Sequence, residues 1–186
     1  MKGMPVNTRP PAPEELVAGW NVLPEGTLAL LTGGRGAGKT RWCEALARAG
    51  RDSGLAVAGL VSPPVLTSGE KTGIDLLDVA SGERRRLAER ARPDLPGTEG
   101  LGWRFDPETL AVGNAFLARV DTCDVLLVDE LGPLEFERES GLTAAFALLD
   151  ARRYRLAVVV VRPALVAAAR ARWAEAAFVW ELEENS

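Results

Sequence analysis

The segment that constrains this chain most is the octapeptide at residues 33–40, which reads GGRGAGKT. An apolar run at residues 27–32 precedes it and predicts a buried strand, and residues 40–49 after it predict a helix. A glycine-rich loop between a strand and a helix matches the pattern G-x-x-x-x-G-K-[ST], in which the backbone wraps a phosphate chain. The sequence therefore predicts a phosphate-binding loop, the Walker A motif, rather than an accidental glycine-rich turn.

The residue types in this loop suit a triphosphate. Glycines keep side chains away from the phosphate oxygens, so that consecutive backbone N–H groups can point at them. The following helix adds its free N–H groups and the positive end of its dipole. Lys39 is expected to reach the β- and γ-phosphates, and the hydroxyl of Thr40 to ligate Mg²⁺. The predicted nucleotide-binding residues are Gly33, Gly34, Arg35, Gly36, Ala37, Gly38, Lys39, Thr40, Arg41 and Arg162.

A second motif follows later in the chain. The apolar residues 125–128 predict a buried strand, and Asp129 and Glu130 come directly after it. A strand that ends in an acid is the Walker B pattern, and beside a phosphate loop it predicts that Asp129 holds Mg²⁺ next to Thr40, largely through water. An acid directly after Asp129 is placed to polarise a water, so Lys39 and Glu130 are the predicted catalytic residues. The alternative for Glu130 is a structural carboxylate paired with a nearby arginine.

Composition restricts the chemistry further. The 186 residues include no histidine and only two cysteines, which form no C-x-x-C pair. Histidine bases and histidine metal sites are therefore excluded, and a zinc site or disulfide framework is disfavoured. The cysteine usage favours a reducing, cytoplasmic setting, and no apolar run approaches the ~18 residues of a membrane span. The net charge of −4 argues against bulk nucleic-acid binding but leaves a local basic groove open.

The remaining chain alternates strand and helix patterns. Further strands are predicted at residues 55–61, 156–161 and 178–180, and further helices after Asp106 and at residues 139–151 and 164–173. Such alternation predicts a three-layer α/β fold with a mostly parallel central sheet.

The predicted organisation is a single domain with one insertion. Proline-rich residues 1–20 are expected to be a flexible lead-in, and residues 21–186 the domain. Residues 66–105 are expected to insert a hairpin that turns at Ser81 and Gly82 and packs beside the main sheet, then a loop at residues 91–102 and a short strand at residues 103–105.

Three segments resemble a known family. Residues 129–135, DELGPLE, resemble the D-E-I-G-x-M-E signature of the THEP1-type nucleoside triphosphatases, which are small P-loop proteins. Residues 72–78 are similar to that family's G-F-D-I-I-D-L strand, and residues 101–105 to its G-x-Y-x-V segment. Leu131 and Leu134 stand in place of Ile and Met. The resemblance, over most of residues 27–165, implies a RecA-like core and slow Mg²⁺-dependent hydrolysis of several nucleoside triphosphates, with ATP, GTP, CTP and UTP as the candidate substrates.

Other candidate site residues each have a plain alternative. Glu135, the last acid of the signature, either orients the loop of Glu130 or is a surface acid. Arg162 follows a strand at the end where ligands bind in open α/β sheets, so it is expected to contact the γ-phosphate or flank the base. The arginines at residues 84–86 favour a solvated hairpin face over a lid on the phosphates. Trp103 is the tryptophan best placed to leave the core and meet a ligand.

Three functions fit these features. The first is Mg²⁺-dependent hydrolysis of nucleoside triphosphates, with a broad or unknown base preference because the chain has no N-K-x-D motif. The second is a nucleotide or small-molecule kinase, for which no arginines can be assigned to an acceptor. The third is a non-catalytic module that binds nucleotide and acts on a partner protein. Free phosphate, a phosphorylated acceptor, or tight binding without turnover would distinguish the three.

Overall fold

A computed structural model describes residues 8–94, 96–97, 101–176 and 178–183. The first seven residues of the predicted lead-in, and residues 95 and 98–100 of the predicted loop, lie outside the described residues. The nine strands of the described chain are β1 (Thr27–Gly33), β2 (Val57–Val61), β3 (Pro64–Thr67), β4 (Glu70–Asp78), β5 (Arg84–Arg90), β6 (Trp103–Phe105), β7 (Cys123–Leu131), β8 (Tyr154–Val161) and β9 (Phe178–Leu182).

Six α-helices connect these strands in the part of the chain that the structure describes. Two short 3₁₀ segments, Trp20–Val22 and Pro163–Leu165, accompany them. None of the described helices combines the length and the apolar character needed to cross a bilayer. The helices are α1 (Pro13–Ala18), α2 (Lys39–Asp52), α3 (Pro107–Ala118), α4 (Pro133–Arg138), α5 (Ala144–Ala151) and α6 (Val166–Arg172).

One sheet carries both halves of the fold, in the order β6-β5-β4-β2-β7-β8-β1-β9, with β3 paired to β4. Strands β2, β7, β8, β1 and β9 run parallel. Strands β3 to β6 pair antiparallel, and β4 joins β2 through Leu60 opposite Asp78. The predicted hairpin is present as β4 and β5, but its predicted placement beside the main sheet is corrected, because the hairpin extends the sheet edge by backbone hydrogen bonds.

The parallel strands are buried on both faces, which explains their nearly continuous apolar sequences. On one face, Val159 and Val161 of β8 join a core with residues of α3, α5 and α6. On the other face, Val158 and Val160 join a core with residues of α1 and α2. Helices on both sides of one sheet give the three layers that the sequence predicts, and the α/β fold class is confirmed.

Two local predictions are wrong. Residues 13–18 of the predicted flexible lead-in form α1, because Pro13 opens the helix and the Glu15 carboxylate accepts the Ala12 backbone N–H at 3.2 Å. The helix predicted at residues 139–151 begins only at Ala144, and α4 precedes it as a separate helix. Glu139 ends α4 in the left-handed conformation, with φ of 49°, so no continuous helix can pass through it.

Candidate active site

The phosphate loop connects the end of β1 to the start of α2, as the sequence predicts. Gly33 has φ of 144°, and a Cβ atom built there would lie 2.3 Å from the carbonyl oxygen of Leu182 on β9. A side chain at this position is therefore excluded by the neighbouring backbone as well as by the conformation. The close approach of β9 fixes where the loop leaves the sheet.

Lys39 lies folded back onto its own loop. Its ammonium donates hydrogen bonds to the carbonyl oxygens of Gly33 and Gly34, each at 2.7 Å. These carbonyls keep the ammonium over the loop, where a phosphate chain wrapped by the backbone would meet it. The two hydrogen bonds from Lys39 thus stabilise the conformation of the phosphate loop.

Asp129 is the most buried acid of the site, with 2% of its surface exposed. The Ser62 backbone N–H donates to its Oδ2 at 3.3 Å, and the Thr40 hydroxyl donates to the same carboxylate. Burial raises the pKa of Asp129 to about 7, and the hydrogen bond from Thr40 opposes the shift. The predicted pair of Thr40 and Asp129 is therefore brought together, with Ser62 as a third partner that no motif indicates.

Glu130 forms an ion pair with Arg162, the residue after β8. The Arg162 Nε and Nη2 groups donate to Glu130 Oε1 at 2.8 and 2.7 Å. The side chains are 32% and 47% exposed, so both remain open to the cavity described below. Catalytic and structural interpretations of Glu130 are compatible, because the arginine pairs with one oxygen and leaves Oε2 outside that pair.

Glu135 is buried and ties two loops together. Its Oε2 accepts the Gly132 N–H and its Oε1 accepts the Leu142 N–H, both at 2.8 Å. Burial raises the pKa of Glu135, and these two backbone hydrogen bonds oppose the shift. The interpretation as a surface acid is wrong, and Glu135 orients the loop that follows Glu130.

These groups line one cavity of about 690 Å³. Its polar part holds the phosphate loop, Asp129, Glu130, Arg162 and, from β4, Lys71. The predicted nucleotide-binding residues Gly34 and Ala37 belong to the loop but are not among the lining residues. The other part is an apolar wall formed by Pro64, Leu66, Ile74, Leu87, Leu101, Trp103, Phe105, Leu110, Leu134 and Leu142.

The arginines at residues 84–86 do not line this cavity. All three are exposed on β5, where Arg86 pairs with Asp75 at 2.8 Å and Arg85 with Glu83 at 2.7 Å. The interpretation as a solvated hairpin face is confirmed. The sequence singles out Trp103, which does reach the cavity, but it does not single out Lys71, because Lys71 belongs to no phosphate-binding pattern.

A parallel sheet whose strand ends carry a Walker A loop and a Walker B acid defines the class of P-loop nucleotide-binding proteins. The model of the NTPase family matches residues 29–184, and the chain belongs to this family. The sequence resemblance is thereby confirmed.

Curated relatives of the chain include archaeal proteins named nucleoside-triphosphatase THEP1. The protein of Ignicoccus hospitalis is 34% identical over 107 residues, which span 58% of this chain and 60% of the relative. That of Methanopyrus kandleri is 29% identical over 131 residues, or 70% of this chain and 71% of the relative. The chain thus spans between about six and seven tenths of the length of these relatives.

Two solved structures share the fold. The solution structure of a human cancer-related nucleoside triphosphatase has a TM-score of 0.61 and 22% identity, over 84% of this chain and 88% of that protein. The crystal structure of THEP1 from the hyperthermophile Aquifex aeolicus has a TM-score of 0.59 and 16% identity, over 84% and 90%. At these identities the comparison supports the architecture.

Proposed function

We propose that the protein hydrolyses nucleoside triphosphates to the diphosphate and phosphate. One observation carries the proposal: a phosphate loop and the carboxylate of Glu130 line the same cavity. Family membership agrees with it, because the curated relatives are named nucleoside-triphosphatases. The base preference is proposed to be broad, since the chain carries no N-K-x-D motif.

We propose Thr40 and Asp129 as the protein ligands of Mg²⁺. Both offer hard oxygen donors, and the buried carboxylate of Asp129, with its raised pKa, gains from a cation beside it. No cluster of three acidic, cysteine or histidine residues suited to a metal occurs in the described residues. A donor set of this size fits Mg²⁺, which keeps several waters and takes phosphate oxygens as ligands, and when bound it neutralises phosphate charge.

Lys39 and the loop amides are proposed to hold the phosphate chain. On binding, the Lys39 ammonium exchanges the carbonyls of Gly33 and Gly34 for phosphate oxygens. Arg35, Arg41 and Arg162 line the same cavity and are proposed to contact the nucleotide. These cations are proposed to hold the phosphate chain in the ground state, and Lys39 is also proposed to neutralise the charge of the transferring phosphoryl group.

Glu130 is proposed to act as the general base. Its Oε1 is held by Arg162, which fixes the side chain and leaves Oε2 to accept a proton from water. The water oxygen forms a bond to the γ-phosphorus while the bond to the bridging oxygen breaks, and that electron pair stays on the diphosphate. The proton taken by Glu130 passes on to the phosphate product.

A second candidate is transfer of the γ-phosphoryl group to a small-molecule acceptor. The apolar wall favours it, because a hydrolase needs room only for the nucleotide and one water, whereas ten apolar or aromatic residues line this cavity of about 690 Å³. In that reaction the acceptor hydroxyl would replace water as the nucleophile, and Glu130 would take its proton. A phosphorylated product in place of free phosphate would identify this function.

The first experiment is to measure phosphate release from ATP, GTP, CTP and UTP with Mg²⁺, for the native chain and for Glu130→Gln. We expect release from several triphosphates and a loss of about 100-fold or more in Glu130→Gln, because a general base contributes about 10²–10⁴-fold. Nucleotide affinity should be kept. Glu137→Gln is the matched control, since Glu137 is an exposed acid in the following helix outside the cavity.

One result would overturn the hydrolase proposal, and another would overturn the role of Glu130. Tight binding with no phosphate release from the native chain would favour transfer to an acceptor or a non-catalytic nucleotide-dependent module. Equal release by Glu130→Gln and the native chain would exclude Glu130 as the base. A cytoplasmic setting also remains our proposal, supported by two cysteines that are both free thiols.

A further inference from the structure

Lys71 brings a positive charge into the cavity from outside both nucleotide motifs. It lies on β4, in the antiparallel part of the sheet, and is half-buried. Its side chain lines the same cavity as Lys39 and Glu130. The cavity therefore receives cations from three separate regions of the chain, which are the phosphate loop with the start of α2, the end of β8 and the hairpin.

The charges around Lys71 are those of the phosphate site. Burial lowers the pKa of Lys71; Glu130 and Asp129 oppose this shift, and Arg35 and Arg162 add to it. Lys71 therefore lies within electrostatic range of the acid that is proposed to activate water. The Lys71 ammonium would therefore also interact electrostatically with a phosphate bound in the cavity.

The ammonium of Lys71 carries its charge without a carboxylate partner. Within the described part of the chain, no acidic oxygen lies within 4.0 Å of it, whereas Arg162 pairs with Glu130 at 2.7 Å. Its Nζ lies 5.1 Å from the ring centroid of Trp103, a cation–π contact. The neutral Trp103 ring stabilises the position of the Lys71 side chain without neutralising its charge, so the ammonium can still bind an anion.

We propose that Lys71 is a catalytic residue that contacts the γ-phosphoryl group from the hairpin side of the cavity. The proposal rests on the hydrolase function. As water adds to phosphorus and the bridging bond breaks, charge on the equatorial oxygens shifts, and a partly desolvated ammonium stabilises it more than a hydrated one. The hairpin thus completes the charge around the phosphate chain within one molecule.

The kinetic test compares Lys71→Met, which keeps the chain length without the charge, with Lys71→Arg, which keeps the charge. With ATP and Mg²⁺ we expect kcat to fall on the order of 100-fold in Lys71→Met, as for other groups that stabilise developing charge. The Kd for ATP should rise by much less than kcat falls, because the contact strengthens as charge develops on the phosphoryl group. Lys71→Arg should recover much of the rate. Arg90→Met is the matched control, because Arg90 is 60% exposed on β5 and does not line the cavity.

A second readout detects the contact itself. The sequence has only three lysines, so acetylation by acetic anhydride, read by peptide mass spectrometry, can be assigned to each. We expect the β,γ-imido analogue of ATP with Mg²⁺ to protect Lys71, and ADP with Mg²⁺ to leave it reactive. Lys39 should be protected by both.

The outcomes separate this inference from the hydrolase proposal. If the native chain releases phosphate and Lys71→Met matches its kcat, the catalytic role of Lys71 is wrong and the hydrolase stands. Equal acetylation of Lys71 with the triphosphate analogue and with ADP would exclude the contact. If the native chain releases no phosphate, the hydrolase fails, and selective protection would still support a γ-phosphoryl contact.

Discussion

The parallel and antiparallel halves of the sheet contribute to the site in different ways. The parallel half carries the phosphate loop, Asp129 and Glu130, all at the ends of strands covered by helices on both faces. The antiparallel half carries Lys71 and Trp103 on side chains that are half-buried. The groups proposed to hold the phosphate chain thus come from strands covered on both faces, and Lys71 and Trp103 come from strands in the antiparallel half with exposed residues. The comparison predicts that substitutions in the parallel half disturb the fold more than substitutions in the antiparallel half.

The largest expected difference is in tolerance of a single methyl group. A Cβ at Gly59 of β2, where φ is +113°, would lie 1.9 Å from the Leu127 carbonyl oxygen on β7. At Gly73 of β4 the nearest atom, at 2.9 Å, belongs to the flexible Arg86 side chain, and the Ala88 carbonyl oxygen follows at 3.2 Å, a contact that a shift of a few tenths of an ångström would relieve. We expect Gly59→Ala to lower the free energy of unfolding by more than about 3 kcal/mol or to prevent folding, and Gly73→Ala by less than about 1 kcal/mol. Urea unfolding followed by tryptophan fluorescence measures both, and similar losses would remove the contrast.

A second prediction concerns the cost of burying Asp129. Because its pKa is raised from 3.8 to about 7, the folded state binds a proton that the unfolded state has lost between these pH values. Stability without Mg²⁺ should therefore fall as the pH rises through this window. Asparagine has no proton to lose, so the stability advantage of Asp129→Asn over the native chain should grow by about 1–3 kcal/mol between pH 5 and pH 8.

Urea unfolding in the presence of a chelator measures this advantage at each pH. Asp121→Asn is the control, because Asp121 is 78% exposed and its ion pair with Arg153 lies at the surface. The same Asp129→Asn variant should lose phosphate release with Mg²⁺. A stability difference that stays constant with pH would show that the Asp129 carboxylate ionises in the folded state at little free-energy cost. The buried acid of the parallel half would then behave like the exposed acids of the hairpin.

The smallest expected effect lies on the outer face of the hairpin. Arg86 Nε donates to Asp75 Oδ1 at 2.8 Å, but its side chain is 45% exposed. Solvent screening should limit the coupling between the two side chains to less than about 1 kcal/mol. A double-mutant cycle of Arg86→Ala and Asp75→Ala in urea unfolding measures it, with phosphate release unchanged in Arg86→Ala. A coupling above about 2 kcal/mol would mean that the hairpin depends on this pair as the core depends on packing.

The sequence predicted the parallel half well because its signals are local. A glycine loop, an acid at a strand end and runs of valine and leucine each specify their surroundings within a few residues. Thr40 and Asp129 could be paired in advance, since the carboxyl ends of parallel strands meet at one edge of a sheet. The helix after Asp106 is predicted for the same reason, and the Asp106 carboxylate caps α3 by accepting the Thr109 N–H at 3.0 Å.

The remaining features depend on contacts between distant residues. Lys71 reaches the site only because β4 pairs with β2, and Ser62 meets Asp129 across 67 positions of sequence. The burial of Glu135 depends on Leu142, whose N–H it accepts after the break between α4 and α5. Strand β3 begins at Pro64, a residue that argues against a strand, and forms because that strand lies at a sheet edge. A sequence pattern of a few residues cannot indicate these contacts between distant segments.

The two outer strands of the sheet have a consequence for how copies of the chain meet. At one side, Thr8 donates its N–H to the Val179 carbonyl at 3.1 Å and accepts the Glu181 N–H at 2.9 Å, so backbone groups of β9 are already taken. At the other side, β6 has only three residues. An open strand is a template on which a second chain can add by self-association into fibrils. One outer strand is thus covered by the chain itself, whereas β6 and the edge strand β3 have only three and four residues, so we expect the sheet edges to template aggregation poorly.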